Sequence, residues 1–271
     1  MSDRHHAGIR VGLGLTSVIT LAAIASFIYT PYDPLAMDVA ARLQGPSTLH
    51  LLGTDHYGRD LLSRMLVGAV TSLSVGVAAV LIALGAGLGL GMLAGHGGGW
   101  LDEGLMRLMD ALYGFPAVLS ALLIAAVAGP GTGVTMVAIG VASIPIFARL
   151  TRGEVLKLRT EEFVLAGRAL GAGDLALLGR HILPNCIPPL VIQSTAAVPL
   201  AILAEAGLSY LGLGTQPPHP SWGLMLKEAQ TFLPVDPWLS ILPGTGIAIT
   251  VLGFNLLGDG LRGRFNSGRA I

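Results

Sequence analysis

Charged residues are scarce in this chain of 271 residues. Asp, Glu, Lys and Arg make up 12% of it, against about 25% in an ordinary soluble domain. Hydrophobic residues make up 52%, and the mean hydropathy is +0.71. This composition indicates that lipid is the main solvent. The formal net charge is zero, so the chain lacks the overall basic character that favours nucleic acid, and we predict no nucleic-acid partner.

Groups that carry common chemistry are also missing. The single cysteine, Cys186, excludes an intramolecular disulfide and is interpreted as a small apolar residue. No phosphate-binding loop of the form G-x-x-x-x-G-K-[ST] is present. Apart from the lone Asp110, no charged cluster suits acid–base or nucleophilic catalysis. The seven histidines form no i, i+4 pair and have no cysteine nearby, which predicts no metal site; they are His5, His6, His50, His56, His96, His181 and His219.

Six apolar runs are candidates to span a membrane, because about 20 helical residues cross a hydrocarbon core of about 30 Å. We predict spans at 9–29, 67–94, 111–128, 134–150, 187–213 and 238–257. The first is too long for the apolar region of a signal peptide, and no small-residue cleavage site follows it. It is therefore predicted to be a helix of the mature protein. The predicted fold class is all-α and polytopic, with both termini on one side.

The distribution of Lys and Arg predicts which side that is. Placing the N-terminus inside puts twelve of these residues in inner segments: Arg4, Arg10, Arg107, Arg149, Arg152, Lys157, Arg159, Arg168, Arg180, Arg262, Arg264 and Arg269. Four remain outside: Arg42, Arg59, Arg64 and Lys227. Because cytoplasmic loops carry an excess of Lys and Arg, both termini and residues 151–186 are predicted to be cytoplasmic.

A stripe of small residues repeats every four positions along the second predicted span. Its members are Ala79, Ala83, Gly87, Gly91 and Gly95. In lipid such a stripe lets another helix approach closely, and packing within the chain is favoured over contact with another subunit. Prolines in or beside the spans predict kinked helices; they are Pro116, Pro145, Pro188, Pro189 and Pro199.

Residues 151–186 interrupt the apolar pattern with charge and glycine. A helix is predicted over 162–170, with four apolar residues on roughly one face: Phe163, Ala166, Ala169 and Leu170. Gly171 can adopt the left-handed conformation that ends a helix. Asp174 is predicted to cap a second short helix that ends before Pro184. Two short helices meeting at a glycine elbow, with exposed apolar residues, are typical of a docking surface for a partner's groove.

The elbow residues resemble the EAA loop of permease subunits in ATP-binding-cassette (ABC) importers. In this segment three residues separate Ala166 from Leu170 and Gly171. Nine further residues lead to HILP, which ends at Pro184. Leu165 stands where Glu is usual and Gly167 where Ala is usual. With these two residues, the segment is similar to the motif FV-A-RA-GA of the dipeptide/oligopeptide/nickel branch. The matching residues are Phe163, Val164, Ala166, Arg168, Ala169, Gly171 and Ala172.

Three more segments resemble the C-type permease of the same branch. They are LLGTDHYGRDLLSRMLVGAVTSLSVG at 51–76, EAGLSYLGLGTQPPHPSWGLML at 205–226 and FNLLGDGLRGRFN at 254–266. With the elbow, they cover the chain from about residue 30 to its end. The resemblance implies one transmembrane permease domain over 1–271 with the ABC type I importer fold: an N-terminal helix at about 9–29, a bundle at about 67–258, a cytoplasmic coupling loop at about 151–186 and an extracytoplasmic loop at about 214–237.

The resemblance also implies partners. The chain is expected to pair with a B-type permease, two cytoplasmic ATPases that bind ATP and Mg, and an extracytoplasmic substrate-binding protein. The residues implied in ATPase coupling are Phe163, Ala166, Gly167, Arg168, Ala169, Gly171, Ala172, His181 and Pro184. Of these, Arg168 and His181 are interpreted either as solvated residues or as partners of ATPase carboxylates. Arg149 and Arg152 are interpreted as interfacial anchors.

Glu205 is an acidic residue well inside a predicted span, which is costly and raises a functional hypothesis. Either it lines the pathway or it hydrogen-bonds the GLSYLGLG turn. The segment 221–232 is predicted to be an amphipathic helix at the outer interface. Trp222, Lys227 and Arg59 are candidate contacts with the binding protein, although a local salt-bridge cluster of Asp55, Arg59 and Asp60 is favoured.

The predicted function is therefore the permease subunit of an ATP-driven importer for dipeptides or oligopeptides in a bacterial inner membrane. The alternative is the same architecture importing a nickel chelate, glutathione or another small peptidic solute. A secondary transporter is a remote alternative, because no internal duplication is evident and only Glu205 resembles a coupling carboxylate.

Overall fold

The computed structural model of the protein describes residues 2–267, with side chains described for 8–264. Arg4, His5, His6 and Arg269 therefore lie outside the described side chains. The chain is helical, and its α-helices are α1 Ser2–Ala25, α2 Leu61–Gly97, α3 Gly99–Tyr113, α4 Ala117–Ala128, α5 Thr132–Leu158, α6 Glu162–Ala169, α7 Asp174–Leu177, α8 Leu183–Tyr210, α9 Trp222–Ala229 and α10 Trp238–Ser267. A π-helical segment, Leu178–Ile182, joins α7 to α8 without a break.

Within the described residues, five helical segments are long and apolar enough to cross a membrane, and the count is six if α3 and α4 form one broken span. The span predicted over 111–128, with a kink expected at Pro116, is instead divided between two helices. The chain bends by 86° between α3 and α4, at Gly114, Phe115 and Pro116. Proline ends or kinks a helix because it has no N–H and its ring clashes with the preceding turn. The other long helices match the predicted spans, with shifted ends.

The shifted ends have local causes. α2 begins at Leu61, six residues before the predicted start, because Asp60 caps it: its Oδ2 accepts from the Ser63 N–H at 2.8 Å. α8 ends at Tyr210 rather than at residue 213, and Gly212 follows with φ +86°. α1 ends at Ala25 in a short turn rather than at residue 29.

The core of the bundle is the contact between α2 and α5. The small-residue stripe of α2 lies here, and all five of its members are buried. A Cβ added at Gly87 would lie 2.5 Å from Phe147 Cβ, and one at Gly91 would lie 2.5 Å from the Ala148 carbonyl oxygen. These approaches require glycine, since a side chain would force the helices apart. The preference for packing within the chain is confirmed.

The long helices alternate in direction between two ends of the bundle. The cap end, defined as residues 30–60 and 211–237, contains the loops before α2 and around α9. There the Trp238 indole N–H donates to the Leu52 carbonyl at 3.0 Å. The elbow end, defined as residues 159–182, contains α6 and α7. There Arg159 Nη1 donates to the carbonyl of Gly95, near the end of α2, at 2.7 Å.

Candidate functional site

The elbow is built from α6, a glycine turn and α7. α6 ends in a Schellman motif, in which Gly171 N–H donates to the Arg168 carbonyl and Ala172 N–H donates to the Gly167 carbonyl, each at 3.0 Å. Gly171 has φ +84°, the left-handed conformation that the sequence predicts. A Cβ at Gly171 would meet no atom within 4 Å, so the turn points into open space.

Gly167 has a different reason to be glycine. A Cβ there would lie 2.8 Å from Cδ2 of Leu177 on α7, and Leu177 is buried. The absence of a side chain therefore lets α6 lie close against α7. This contact gives a physical reason for Gly167 at a position where the generic EAA loop has alanine. The neighbouring Leu165, which replaces the usual Glu, is half exposed.

The elbow has one buried and one exposed apolar face. Val164, Leu178 and Ile182 are buried in the core cluster shared with α2, α5 and α8, and Leu177 is also buried. On the opposite face lie four exposed apolar side chains, which we call the elbow patch: Phe163 at 42%, Leu165 at 50%, Leu170 at 89% and Leu175 at 84%. Exposed apolar residues grouped on a glycine-ended turn are a candidate interaction surface.

Two details of the predicted elbow are wrong. Gly173, not Asp174, is the N-cap of α7, and no side chain caps this helix. The second helix also does not end before Pro184, because it continues through the π-helical segment into α8, where Pro184 is the second residue. Proline is tolerated in the first turn of a helix, where its missing N–H has no intrahelical partner. The elbow is therefore directly continuous with a membrane-spanning helix.

Polar residues at the elbow make loose contacts within the chain. Arg168 Nη2 lies 3.3 Å from Asp174 Oδ1, and both side chains are about half exposed or more. His96, at the end of α2, lies 4.0 Å from the same carboxylate. The His181 ring lies 6.4 Å from the Phe163 ring, centroid to centroid. Exposed pairs of this kind contribute little to stability. The Arg168 side chain is accessible to a partner, whereas His181 is partly buried.

The arginines that precede the elbow hold α3 against α5. Arg152 donates to both carboxylate oxygens of Asp102, at 2.5 and 2.6 Å. Arg149 donates to Asp110 at 2.5 Å and stacks over the Tyr113 ring. The structure thus places Arg149 and Arg152 in ion pairs, and their interpretation as interfacial anchors alone is incomplete. Sequence reasoning left Asp110 without a partner because the partner lies 39 residues away.

At the cap end, four charged side chains form a network that we call the cap ion cluster: Asp55, Arg59, Arg64 and Glu228. Arg59 Nε lies 2.6 Å from Asp55 Oδ2, and its Nη2 lies 3.0 Å from Glu228 Oε2. Arg64 Nη2 lies 2.7 Å from the same Glu228 oxygen. The predicted local cluster around Asp55 and Arg59 is present. Asp60 instead caps α2 and contacts His50 at 3.0 Å.

Arg59 was also a candidate contact with a binding protein, and the structure contradicts that prediction. Its residue surface is only 2% exposed, and its guanidinium is engaged by two carboxylates. Sequence reasoning missed the roles of Arg64 and Glu228. The available signal was Arg64 five residues after Arg59, together with the acidic Glu228 on α9. Neither observation fixes a pairing across more than 160 positions.

α9 is not an interfacial helix. Trp222 is 2% exposed, and its indole N–H donates to the Met65 carbonyl of α2 at 3.1 Å. A Cβ at Gly223 would lie 2.6 Å from the Ala206 carbonyl oxygen of α8. The helix is therefore packed inside the bundle, and Trp222 is excluded as a contact with a binding protein. Lys227 is exposed, as that prediction requires.

Glu205 lies beneath the cap, on α8, with no exposed surface. Its Oε1 accepts from the Ser209 hydroxyl at 2.7 Å, and its Oε2 accepts from the Ser72 hydroxyl of α2 at 3.0 Å. Ser209 Oγ in turn accepts from the Thr215 N–H at 3.0 Å, and Ser72 Oγ accepts from the Trp222 N–H at 3.2 Å. The carboxylate thus ties α8 to α2, to the turn after α8 and to α9.

One histidine of the cap has a shifted acidity. Burial lowers the pKa of the His56 imidazole below its ordinary value of 6.5, and the guanidiniums of Arg59 and Arg64 act in the same direction. The carboxylates of Asp55 and Glu228 oppose the shift without cancelling it. The ring stacks on Phe232, with centroids 4.7 Å apart. His56 is therefore held as a neutral aromatic group at neutral pH.

Comparison with known proteins identifies the fold. The chain resembles that of the MetNI methionine ABC transporter, solved in inward-facing conformations, with a TM-score of 0.61 over 74% of this chain and 95% of the other. The sequence identity is 17%, so this likeness shows the fold alone. A second crystal form of the same transporter gives a TM-score of 0.60.

Comparison of sequences identifies the family. The chain is 42% identical to the glutathione transport system permease protein GsiD of Pectobacterium atrosepticum, over 96% of this chain and 86% of the relative. It is also 42% identical to the dipeptide transport system permease protein DppC of Alkalihalophilus pseudofirmus, over 93% and 83%. The family described as binding-protein-dependent transport system inner membrane component matches residues 87–270. The chain belongs to this family and is a permease subunit of an ABC importer.

Proposed function

We propose that this chain forms one permease domain and, with a B-type permease, encloses the passage of an importer for dipeptides or oligopeptides. Two cytoplasmic ATPases bind ATP and Mg, and one of them docks on the elbow of this chain. An extracytoplasmic protein delivers the substrate at the cap. The elbow patch is the observation that carries this proposal. It is an apolar surface that the chain itself leaves uncovered, on the segment that resembles the EAA loop.

The shape of the elbow suits docking. The Schellman motif fixes the end of α6 at Gly171, and the close contact of Gly167 with Leu177 fixes the angle of α6 against α7. Leu170 and Leu175 then project from both sides of the turn. A rigid turn with projecting apolar side chains fills a groove at low cost in conformational entropy.

The helices around the elbow offer a route for mechanical force. α7 continues through the π-helical segment into α8, and α5 leads directly into α6. Movement of the elbow therefore displaces two long helices together, as one packed element moving against another. α8 carries Glu205 and α5 packs along α2, so the displacement reaches the cap end. A permease that receives force from separate ATPases requires a mechanical connection of this kind.

The relatives support a small peptidic substrate. One is named for dipeptides and others, including one of Escherichia coli at 43% identity, for glutathione. Glutathione is itself a tripeptide, so it is the second candidate, and a nickel chelate is the third. A secondary transporter is disfavoured because the Glu205 carboxylate is occupied by two hydroxyl groups and is fully buried.

The charge distribution supports a multi-pass protein of the bacterial inner membrane with both termini in the cytoplasm. The elbow end includes Arg159, Arg168 and Arg180, whereas the cationic side chains Arg59 and Arg64 of the cap are neutralised within the cap ion cluster. This orientation places the elbow patch where cytoplasmic ATPases can reach it.

The elbow proposal is tested with Gly171→Trp. A side chain at φ +84° costs about 1–2 kcal/mol in backbone strain, and the indole obstructs a docking groove. We expect the variant to insert and to pair with the second permease, while co-purification of the ATPases and substrate uptake fall at least tenfold. Gly173→Trp is the matched control, because φ at Gly173 is −67° and a Cβ there also meets open space.

The outcome that contradicts docking at the elbow is wild-type co-purification and uptake by Gly171→Trp. The substrate is tested separately, by competition of unlabelled dipeptides, longer oligopeptides, glutathione and a nickel chelate against uptake of a labelled dipeptide in cells that express the cognate binding protein. Competition by glutathione alone would replace peptides with the second candidate and leave the elbow proposal intact.

A further inference from the structure

Among the described residues, no partner is found for one buried nitrogen of the cap ion cluster, Arg64 Nη1. Arg64 is 1% exposed. Its Nη2 donates to Glu228 Oε2 at 2.7 Å, and its Nε lies 3.4 Å from Asp55 Oδ2. Nη1 is buried and has no hydrogen-bond partner among the described residues. An unsatisfied buried donor on a charged group is costly, and native proteins seldom leave one. The geometry therefore calls for an acceptor beside Nη1.

A small cavity adjoins this guanidinium. Its volume is about 10 Å³, and Arg64 lines it together with the polar side chains of Asp55, His56 and Glu228. Leu61 and Ala229 contribute to its apolar wall. A space of this size holds about one water molecule, provided that polar groups are present to bind it. Both conditions are met here, since Arg64, Asp55 and Glu228 all line this space.

The charges of the site exclude an ion as the occupant. Two guanidiniums, of Arg59 and Arg64, face two carboxylates, of Asp55 and Glu228, so the cluster is formally neutral. An anion in the cavity would meet both carboxylates at short range, and a cation would meet the guanidinium of Arg64. A neutral molecule that both accepts and donates hydrogen bonds fits all of these groups.

We propose that one buried water molecule occupies this cavity, accepts a hydrogen bond from Arg64 Nη1 and donates to the carboxylates of Asp55 and Glu228. The water completes the cap ion cluster and joins three elements: the loop before α2, the first turns of α2, and α9. α9 is thereby fixed to the start of a membrane-spanning helix by ionic and water-mediated contacts. This inference rests on the geometry of the cap and is independent of the transported substrate.

The test uses Ala229, whose side chain lines the cavity and is 2% exposed. Ala229→Ser and Ala229→Cys are matched in shape, but only the serine hydroxyl is a strong hydrogen-bonding group. Each variant is purified as the assembled transporter in detergent, and its Tm is compared with that of the wild type. A structure of the wild-type complex at a resolution that shows ordered water, by cryo-electron microscopy, gives the direct observation.

With a water present, cysteine displaces it and leaves Nη1 without a good acceptor. We then expect Ala229→Cys to lower the Tm by about 3–6 °C, whereas Ala229→Ser replaces the water and stays within about 2 °C of wild type. Density for a solvent atom beside Nη1 is expected in the wild-type structure.

Three results would overturn the proposal. If the cavity is dry, cysteine fills empty space and the Tm is unchanged or raised, or serine raises the Tm above wild type by supplying a new acceptor. If both variants lower the Tm equally, the site is simply too tight for any added atom. If the Tm of the wild type rises with chloride at constant ionic strength, the occupant is an anion.

Discussion

The cap end and the elbow end of this permease are built in opposite ways. At the cap, the charged side chains of Arg59, Arg64 and Glu228 are paired within the chain and are at most 17% exposed. At the elbow, the apolar side chains of Leu170 and Leu175 are 89% and 84% exposed. The cap buries charged side chains, whose desolvation is costly, and the elbow exposes apolar side chains, whose hydration is costly.

The difference shows which end is complete in the isolated chain. Buried ion pairs are retained only where good geometry offsets the cost of desolvation. The cap ion cluster joins α2 to α9, and the Glu205 hydrogen bonds join α8 to α2. An exposed apolar surface on a rigid turn is buried only when a partner covers it. In the proposed mechanism the cap is therefore the fixed point, and the elbow is the contact that moves with its partner.

Breaking the cap has the largest expected effect. Glu228→Gln removes the negative charge that both Arg59 and Arg64 contact, and leaves two buried guanidiniums with Asp55 alone. We expect a loss of about 3 kcal/mol in stability, measured as a lower Tm and a lower folded yield of the purified complex. Lys227→Gln, at the exposed neighbouring position, is the control and should change stability by less than about 0.5 kcal/mol. Equal effects of the two changes would refute the importance of the cluster.

The second prediction concerns Glu205, which accepts hydrogen bonds from the Ser72 and Ser209 hydroxyls next to the cap. In Glu205→Leu the hydroxyls of Ser72 and Ser209 lose their acceptor in a buried site, which should cost about 2 kcal/mol of stability. Glu205→Gln keeps an acceptor and should retain both the fold and transport. Uptake measured per folded transporter decides between the roles: if Glu205→Gln folds normally but abolishes uptake, the carboxylate acts in the pathway instead.

The third prediction separates the elbow from the cap. Leu170→Asp changes a side chain that is 89% exposed, so the stability of the isolated permease pair should change by less than about 0.5 kcal/mol. Burying the new carboxylate in a partner's groove is unfavourable, and stimulation of ATP hydrolysis by loaded binding protein should fall about tenfold, equivalent to about 1.4 kcal/mol. Leu170→Met should be neutral in both assays. A loss of stability without a loss of coupling would reverse the distinction between the two ends.

The smallest expected effect is a pH dependence of the cap. Because the pKa of His56 is lowered in the folded protein, the unfolded chain binds the proton more readily. Stability is therefore complete above about pH 6.5 and falls as the pH drops through that value towards the lowered pKa. Tm measured from pH 8 to pH 5 should show this decline, and His56→Gln should reduce it. An unchanged profile in the variant would exclude His56 as the source.

Much of this protein could be predicted from local sequence. Long apolar runs predict membrane-spanning helices because lipid offers no partners for backbone N–H and C=O groups. Gly171 was predicted to end α6 because a left-handed residue is needed there, and the small-residue stripe of α2 was predicted to pack within the chain. Each of these depends on residues close together in the chain.

Predictions that depended on distant contacts were less successful. Trp222 was expected at the outer interface because its segment looks amphipathic, yet it is buried by elements from other parts of the chain. The favoured pairing of Arg59 with Asp55 is present, but its second partner, Glu228, was not predicted. The break at Pro116 was expected only as a kink. α7 was expected to stop before Pro184, although a proline in the first turn of a helix causes no break.

The sequence by itself determined the class of protein, its lipid surroundings, the approximate positions of its long helices, and the glycine elbow. These follow from apolar length, charge distribution and backbone conformation, which are properties of contiguous residues. Only the tertiary structure decided which charges pair, that Glu228 neutralises two arginines more than 160 residues away, that Glu205 is buried among hydroxyl groups, and that a cavity remains beside Arg64. Side chains far apart in the chain meet only when the helices have packed, and nothing in their local sequence specifies the partner.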